Sequence, residues 1–196
     1  MIIYLHGFAS SGVSDKVTQL RDAIDDRIKA PDLPFDPDEV ERMVHALVLD
    51  FISTRHAHEK LIFIGTSLGA FYANYFGQKY DCPVILVNPS VTPSETLREK
   101  LGVNRHYITS DEFWVTVAHL EQLDKMKKYA DNSITKCSGG VLIHLFLAEN
   151  DEVIPYQCAL EKFKNVASVT VTPDGEHRYI KHWDKVIAKA KEILHQ

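Results

Sequence analysis

The sequence predicts an α/β protein: a three-layer α/β/α sandwich on a mostly parallel, six-stranded sheet. Short apolar segments of strand length alternate along the 196 residues with segments whose apolar residues recur at helical spacing. The apolar segments are nearly continuous, which is typical of strands buried on both faces. Strands and helices that alternate in this way form βαβ units, in which helices cover both faces of a parallel sheet.

Six segments are predicted to be the strands of this sheet. They are residues 2–5, 27–30, 60–64, 82–88, 140–147 and 166–171. In a parallel sheet the functional loops follow the carboxyl ends of the strands. The residues directly after these segments are therefore the first candidates for a site.

The clearest helix is predicted to begin after Asp36. Asp36 can cap its amino end, Pro37 fits the first helical position, and Glu39 completes a start that resembles a capping box. One apolar stripe follows, formed by Val40, Met43, Val44, Leu47, Val48, Phe51 and Ile52. Ser14 is the candidate N-cap of an earlier helix, which has Val17, Leu20, Ile24 and Ile28 at helical spacing.

Two further helices are predicted in the last quarter of the chain. One lies at about 155–164. The other opens from the loop that ends at His177, and its stripe is Tyr179, Ile180, Trp183, Val186, Ile187, Ala190 and Leu194. Both follow predicted strands, as βαβ organisation requires.

Residues 89–138 lose the alternation of strands and helices. A short helix is predicted from Thr92 to Gly102, whereas 113–123 mixes strand and helix periodicity and supports neither assignment. We expect residues 1–196 to form a single domain in which 89–138 is an insertion, a small cap over the site.

Composition excludes several classes of protein. A charged fraction of 25% with 45% apolar residues argues against disorder, and a net charge of −5 offers no broad basic surface to nucleic acid. The longest apolar runs are far shorter than the ~20 residues of a membrane span. The chain opens on strand residues without a leader pattern, and its three cysteines form no C-x-x-C pair. We expect reduced thiols and a cytoplasmic location.

The segment Gly65-Thr66-Ser67-Leu68-Gly69 matches the nucleophile elbow G-x-S-x-G. An apolar strand precedes it and a helix-compatible run to Lys79 follows, which is the context that this turn needs. The flanking glycines allow strand and helix to approach closely. Ser67 is therefore the candidate nucleophile, and the alternative is a small residue that caps the following helix.

The other two members of a triad follow in the order Ser67, Asp151, His177. That order is the one found in α/β-hydrolases, and each residue lies just past a predicted strand. His177 is the candidate base, and a merely exposed loop histidine is the alternative. Asp151 is the candidate acid; Glu149 competes for that role, and Asp151 has a second interpretation as a turn former.

His6-Gly7-Phe8 supplies the remaining part of an acyl-transfer site. The developing oxyanion needs two preorganised N–H donors. One would come from Leu68, the residue after the nucleophile, and the other from Phe8 or Ala9 in the loop after the first strand. The alternative is that this loop is only a turn. His6 is expected to position the loop rather than act as a second base.

The other histidines have structural explanations. His56 and His58 could hold a metal ion, but they alternate at a helix end without an acidic or cysteine partner, which favours a surface position. His144 lies inside an apolar strand and is expected to be a hydrogen-bonded core residue, and His182 is expected to face solvent. Two lie in the insertion, where they are candidates for substrate contact: His106 and His119.

These motifs together resemble a known family. They are Tyr4-Leu5-His6-Gly7-Phe8 with Ser10-Ser11, Pro31-Asp32-Leu33-Pro34, Gly65-Thr66-Ser67-Leu68-Gly69, Asn88-Pro89, Asn150-Asp151-Glu152-Val153 and Gly175-Glu176-His177. The chain resembles a small α/β-hydrolase and, more narrowly, the YqiA/YcfP-type bacterial esterases, a UPF0227-like family. The resemblance implies a minimal α/β-hydrolase fold and a cytoplasmic esterase with Ser67 as nucleophile, Asp151 as acid and His177 as base.

Two departures from the family pattern limit what the resemblance implies. Ala70 stands where a glycine is frequent after the elbow, and 103–138 matches poorly, so substrate choice does not transfer. The expected function is hydrolysis of small-molecule carboxylic esters or thioesters, with no metal and no organic cofactor. Two alternatives remain: a catalytically silent binding protein, and a peptidase or C–C hydrolase that uses the same triad. The sequence does not indicate an oligomeric state.

Overall fold

A computed structural model of the chain describes residues 1–24, 27–56, 59–136, 142–165 and 167–195. Within these residues the helices are α1 Asp15–Ile24, α2 Pro37–Thr54, α3 Leu68–Tyr80, α4 Pro93–Thr96, α5 Val117–Lys136, α6 Tyr156–Phe163 and α7 Trp183–His195. The strands are β1 Ile2–Leu5, β2 Ile28–Lys29, β3 Ile62–Thr66, β4 Val84–Val87, β5 Gly102–Arg105, β6 Glu112–Val115, β7 Ile143–Ala148 and β8 Ala167–Thr172. The predicted strand starts at Gly140 and Val166 lie outside the described residues, as does His58.

Six of the strands form one sheet in the order β2-β1-β3-β4-β7-β8. Every neighbouring pair in it is parallel, so the prediction of a mostly parallel six-stranded sheet is confirmed. Strands β1, β3, β4 and β7 are buried along their whole length because helices cover both faces. The carboxyl ends of these strands meet at one edge of the sheet.

Two hydrophobic cores lie on opposite faces of the sheet. On the first face, Ile3, Leu5 and Phe63 of the strands pack with apolar residues of α2, α3, α5 and α6. On the second face, the alternate strand residues Ile2 and Tyr4 pack with α1 and α7. Alternation of side chains along each strand therefore divides its residues between the two cores, and the three-layer arrangement follows.

The helix predicted after Asp36 forms as its sequence specifies. The Asp36 side chain accepts a hydrogen bond from the Asp38 N–H at 2.8 Å, and Pro37 is the first helical residue. The apolar stripe of α2 faces the sheet. Its buried members are Val40, Val44, Val48 and Phe51. Ile52, the last predicted member, lies at the edge of the stripe and is half exposed.

The segment without a clear prediction contains a hairpin and a long helix. Strands β5 and β6 pair antiparallel, separately from the main sheet, and α5 follows. Leu120, Leu123 and Met126 of α5 belong to the first core, so this helix is part of the outer layer. The predicted helix from Thr92 to Gly102 is too long: α4 ends at Thr96, and a 3-10 turn at Arg98–Lys100 leads into β5.

The predicted start of the last helix is also wrong. Tyr179 belongs to the same core as Trp183, but its backbone is left-handed, with φ 55°, and the helix begins only at Trp183. Two hydrogen bonds shape this entry: the Tyr179 N–H donates to the Glu176 carbonyl, and the Ile180 N–H donates to the Glu176 carboxylate. Spacing alone could not separate this buried turn from a helix.

Candidate active site

The residues predicted for the site converge on the carboxyl edge of the sheet. His6-Gly7-Phe8 follows β1, Ser67 follows β3, Asp151 follows the end of β7 by three residues, and His177 lies in the loop after β8. Because these strands are parallel neighbours or next-neighbours, loops far apart in sequence meet at this edge. The loops that carry the predicted site residues therefore lie along one edge of the sheet.

Ser67 occupies a strained turn between β3 and α3. Its φ is 56°, in the left-handed region that costs a residue with a side chain on the order of 1 kcal/mol or more. The turn is held by the Ser67 N–H, which donates to the Val87 carbonyl at 3.0 Å. A Cβ atom at Gly65 would overlap the Gly69 carbonyl, and one at Gly69 would overlap the Leu5 carbonyl, so both glycines are required for this close approach.

Asp151 and His177 form a hydrogen-bonded pair. His177 Nδ1 lies 2.9 Å from Asp151 Oδ1 and 2.8 Å from Oδ2. A carboxylate can only accept, so Nδ1 carries the hydrogen and Nε2 is the ring nitrogen left to act as a base. The exposed fraction of the side chain is 1% for Asp151 and 15% for His177. The acid is thus enclosed while the base reaches the surface of the cleft.

Backbone amides provide further partners for the buried carboxylate. The N–H groups of Val153 and Ile154 both donate to Asp151 Oδ1 at 2.8 Å. The neighbouring Glu152 carboxylate accepts the His177 N–H at 3.0 Å, and this hydrogen bond lowers the pKa of Glu152. The turn after β7 therefore holds the His177 segment by its ring and by its backbone.

Asn88 ties these segments together, and the sequence analysis assigned it no role. Its Nδ2 donates to the carbonyls of Glu176 at 3.1 Å and His177 at 3.0 Å, and its Oδ1 accepts the Ala148 N–H at 2.8 Å. Its own N–H donates to the Phe146 carbonyl. Its φ is 43°, a conformation that asparagine tolerates, and the signal in the sequence was an asparagine at the end of a predicted strand.

Ser67 reaches this network through the backbone of its neighbours. Its N–H bonds to Val87, the residue before Asn88, and its carbonyl accepts the Ser90 N–H at 3.1 Å. In the described part of the chain, no hydrogen bond joins Ser67 Oγ to the His177 ring. In structures without substrate such catalytic contacts are often long, and they tighten when substrate binds.

Hydrogen bonds fix the peptide between Gly7 and Phe8 in the loop after β1. The Gly7 carbonyl accepts hydrogen bonds from His6 Nδ1 at 2.8 Å and from the Ser10 N–H at 3.3 Å. Since the peptide bond is planar and trans, the Phe8 N–H points opposite to this carbonyl. Gly7 lies against Ser67, because a Cβ atom on Gly7 would stand 3.3 Å from Ser67 Cβ. Leu68, the first residue of α3, has an N–H without an intrahelical partner.

His6 positions this loop, as the sequence analysis expects. Its Nε2 accepts the Leu33 N–H at 2.8 Å while Nδ1 donates to Gly7, so the ring is neutral. Burial lowers its pKa below the ordinary 6.5. Nearby, Asp32 accepts hydrogen bonds from the Ser11 hydroxyl at 2.6 Å and the Gly12 N–H at 2.8 Å, which lower the pKa of that carboxyl. The loop is anchored at both ends.

A cavity of about 220 Å³ opens beside this loop. Its apolar wall contains Phe8, Leu33, Pro34, Phe35, Leu68, Tyr72 and Phe113. The hairpin β5–β6 and its tip contribute polar groups to the other side, which are His106, Thr109, Asp111 and Glu112. The two candidate oxyanion residues, Phe8 and Leu68, thus line the space in which an acyl group could lie. Burial raises the pKa of Tyr72 well above its usual range, so its hydroxyl stays protonated.

The remaining candidates lie away from the Ser67 site. The Glu149 carboxylate accepts a hydrogen bond from the Tyr156 hydroxyl at 3.5 Å, and within the described ranges of the chain it forms no hydrogen bond or ion pair with His177. His144 is buried and bonds to Ser168 Oγ at 2.6 Å, as a core residue should. His182 is not freely solvent-facing, because its side chain is 17% exposed and bonds to Asp174. Among the described residues, no group of three or more histidine, cysteine or acidic side chains could hold a metal ion.

Comparison with known proteins places this chain in a family. The model of an uncharacterised protein family, UPF0227, matches residues 1–194. The chain belongs to this family. That membership and the α/β-hydrolase fold agree with the sequence prediction. None of the described helices has the length and apolar character needed to cross a membrane.

Several solved structures share the fold of this UPF0227 member. Est1E from Butyrivibrio proteoclasticus is 14% identical with a TM-score of 0.75, and the match covers 98% of this chain and 85% of that one. A monoacylglycerol lipase from Paleococcus ferrophilus is 11% identical with a TM-score of 0.70, covering 98% and 93%. An α/β superfamily hydrolase from Oenococcus oeni is 14% identical with a TM-score of 0.62, covering 98% and 90%. At these identities the similarity shows the fold alone.

Proposed function

We propose that this protein is a serine esterase that hydrolyses small-molecule carboxylic esters, and thioesters by the same chemistry. The single observation that carries the proposal is the Asp151–His177 pair, in which the acid is enclosed and fixes Nδ1. That pair lies at the sheet edge where Ser67 occupies the strained turn. Two of the structural neighbours, a monoacylglycerol lipase and an α/β superfamily hydrolase, agree with this reaction class.

The proposed reaction forms and then hydrolyses an acyl-enzyme. His177 Nε2 takes the proton of Ser67 Oγ, which attacks the acyl carbon, and the N–H groups of Phe8 and Leu68 bind the resulting oxyanion. The C–O or C–S bond to the leaving group breaks, and His177 returns the proton to the departing alcohol or thiol. Water, deprotonated by His177, then attacks the acyl carbon and releases the acid and free Ser67.

The substrate would place its acyl carbon between Ser67 and the two amides. The adjoining cavity is mostly apolar, and its volume of about 220 Å³ suits a short acyl chain or a small ring rather than a macromolecule. No step requires a metal ion or an organic cofactor. We also propose that the protein is cytoplasmic and that residues 89–138 form a small cap over the site.

Hydrolysis of p-nitrophenyl acetate and butyrate, together with fluorophosphonate labelling, tests the proposal. We expect wild type to turn over and to be labelled, and Ser67→Ala to lose at least about 10⁴-fold in kcat and all labelling. Ser90→Ala is the matched control, because Ser90 contributes only its backbone N–H to the elbow. Retained activity in Ser67→Ala would exclude it as the nucleophile.

The two alternative functions give different outcomes in the same assay. A catalytically silent binding protein would neither hydrolyse the esters nor react with the fluorophosphonate. A peptidase or C–C hydrolase would label at Ser67 and prefer peptide anilides or diketones over esters and thioesters. A dehalogenase of this fold uses an aspartate where Ser67 stands, so that chemistry is disfavoured.

A further inference from the structure

The tip of the β5–β6 hairpin binds the backbone of the loop after β1. His106 Nε2 contacts the Ser10 carbonyl oxygen, and the Tyr107 N–H donates to the Ala9 carbonyl at 2.9 Å. These partners are about 100 residues apart in sequence, so the contacts are tertiary. Ala9 and Ser10 directly follow Phe8, whose N–H is one of the two proposed oxyanion donors.

The hydrogen bonds of His106 fix which nitrogen carries its hydrogen. A carbonyl only accepts, so Nε2 donates to Ser10. Nδ1 faces the N–H groups of Ile108 and Thr109, each at 3.3 Å, and therefore accepts. The backbone of His106 is itself held, since its N–H donates to the Asp111 carbonyl at 2.9 Å. The imidazole is thus a rigid donor aimed at the loop.

The loop needs such a donor because its conformation is strained. Ala9 has φ 53°, a left-handed conformation that residues with a side chain rarely adopt. With the hairpin in place, the carbonyls of Gly7, Ala9 and Ser10 each accept a hydrogen bond. The Gly7 carbonyl shares its peptide plane with the Phe8 N–H, so the Ser10 N–H that bonds to this carbonyl holds the Phe8 N–H on the opposite side. The Ser10 N–H shares its own peptide plane with the Ala9 carbonyl, which the Tyr107 N–H of the hairpin holds. In the described part of the chain the Phe8 N–H makes no hydrogen bond.

A cluster of three aromatic rings supports the same contact. The ring centroid of Phe113, on β6, lies 5.6 Å from that of Phe8 and 5.0 Å from that of Phe35. The centroids of Phe8 and Phe35 are 5.4 Å apart. Such ring pairs stabilise a contact beyond the apolar area that they bury. The hairpin therefore packs against the side chain of Phe8 while its tip bonds to the backbone of the next two residues.

We infer that His106 is a positioning residue for the oxyanion hole. It holds Ser10 by the carbonyl, and the Ser10 N–H in turn bonds to the Gly7 carbonyl, so the Phe8 N–H stays aimed at the oxyanion; His106 does not touch the reacting atoms. This inference deepens the proposed esterase function and rests on it. It also gives the hairpin a role in catalysis in addition to lining the cavity.

Three variants of the full chain test the inference with p-nitrophenyl butyrate. His106→Ala removes the donor, and we expect kcat to fall about 10-fold or more while KM stays within about 2-fold, since the interaction lost is made in the transition state. His106→Gln can still donate to Ser10, and we expect kcat within about 3-fold of wild type. Tyr107→Ala is the matched control, because that residue bonds to Ala9 through its backbone and its side chain is exposed.

A trifluoromethyl ketone separates positioning from a general structural role. Its adduct with Ser67 carries an oxyanion, so the inhibition constant in His106→Ala should rise by the same factor by which kcat/KM falls. A change in KM alone, or an unchanged kcat in His106→Ala, would overturn the inference. If His106→Ala is unstable, the same comparison is made with His106→Gln and His106→Asn at lower temperature, where equal loss in both would also overturn it.

Ser67→Ala, measured in parallel, distinguishes failure of the His106 inference from failure of the proposed esterase function. Active wild type, inactive Ser67→Ala and an unimpaired His106→Ala would refute the inference and leave the esterase intact. A wild type that hydrolyses no ester would refute both.

Discussion

The carboxamide of Asn88 holds the backbone of His177. Its Nδ2 donates to the His177 carbonyl at 3.0 Å, and its Oδ1 accepts the Ala148 N–H at the end of β7. One side chain therefore joins the strand that leads to the acid with the loop that carries the base. The Ser67 N–H bonds to the carbonyl of Val87, the residue directly before Asn88, so the backbone of Ser67 is held beside the same segment.

Asn88→Ala is expected to weaken both the fold and the site. It removes three hydrogen bonds and leaves the buried Ala148 N–H without a partner, which should lower the free energy of unfolding by about 2–4 kcal/mol. Without the hydrogen bond from Asn88, His177 should be less well positioned to take the proton of Ser67. We therefore expect kcat to fall at temperatures where the variant is folded. Urea unfolding and the ester assay measure the two effects. A variant within about 0.5 kcal/mol of wild type would contradict the tethering role.

Asp151→Asn should be far more harmful to activity than Glu149→Gln. Asp151 bonds to His177 Nδ1, and its amide replacement would favour the wrong ring tautomer, so we expect kcat to fall by about 10³–10⁴-fold. Glu149 lies near Tyr156 instead, and its variant should retain activity within about 3-fold. Equal losses in the two variants would mean that the acid role is shared, contrary to the geometry.

The turn at Ser67 and the positions of Asp151 and His177 after their strands were predictable because each is set by local sequence. Strand, glycine-flanked serine and helix are consecutive in the chain, and Asp151 and His177 each follow a strand by a few residues. A parallel sheet then brings such positions to one edge whatever their distance in sequence. The fold class and the candidate site follow from these few rules.

Asn88 and His106 were not predictable because their roles are tertiary. Asn88 reaches partners 60 to 89 residues away, and His106 reaches a partner 96 residues away. No periodicity encodes such contacts. Residues 113–123 mix two periodicities because β6 ends at Val115 and α5 begins at Val117, so the segment contains the end of a strand and the start of a helix.

Phe113 and Trp114 are neighbours on β6 that should respond oppositely to truncation. Phe113 lines the cavity and contacts Phe8, whereas Trp114 is 64% exposed on the other face of the hairpin. Phe113→Ala should enlarge the cavity, shift preference toward longer or bulkier acyl esters and lower kcat/KM for the butyrate ester about 10-fold. Trp114→Ala should leave the chain-length profile unchanged. A series of p-nitrophenyl esters from acetate to decanoate provides the measurement, and identical profiles in the two variants would argue against this cavity as the acyl pocket.

Stability should decline below about pH 6.5 because two buried histidines must stay neutral. Burial lowers the pKa of His6 and of His144 below the ordinary 6.5. The unfolded chain therefore binds these protons at a higher pH than the folded chain does. Their contribution to stability is complete above pH 6.5 and is lost as the pH falls toward the folded pKa, with a slope of at most about 1.4 kcal/mol per pH unit for each histidine.

Urea unfolding of variants at pH 7.5 and at pH 5.5 measures how much each histidine contributes to the loss of stability in acid. In His6→Gln, whose amide oxygen can still accept the Leu33 N–H, the loss of stability between the two pH values should be smaller than in wild type. His144→Gln should reduce the loss independently, because His6 lies in the loop after β1, His144 lies in β7, and the two side chains share no hydrogen-bond partner. If the free energy of unfolding falls as much in both variants as in wild type between pH 7.5 and pH 5.5, carboxylates rather than these histidines cause the loss of stability in acid.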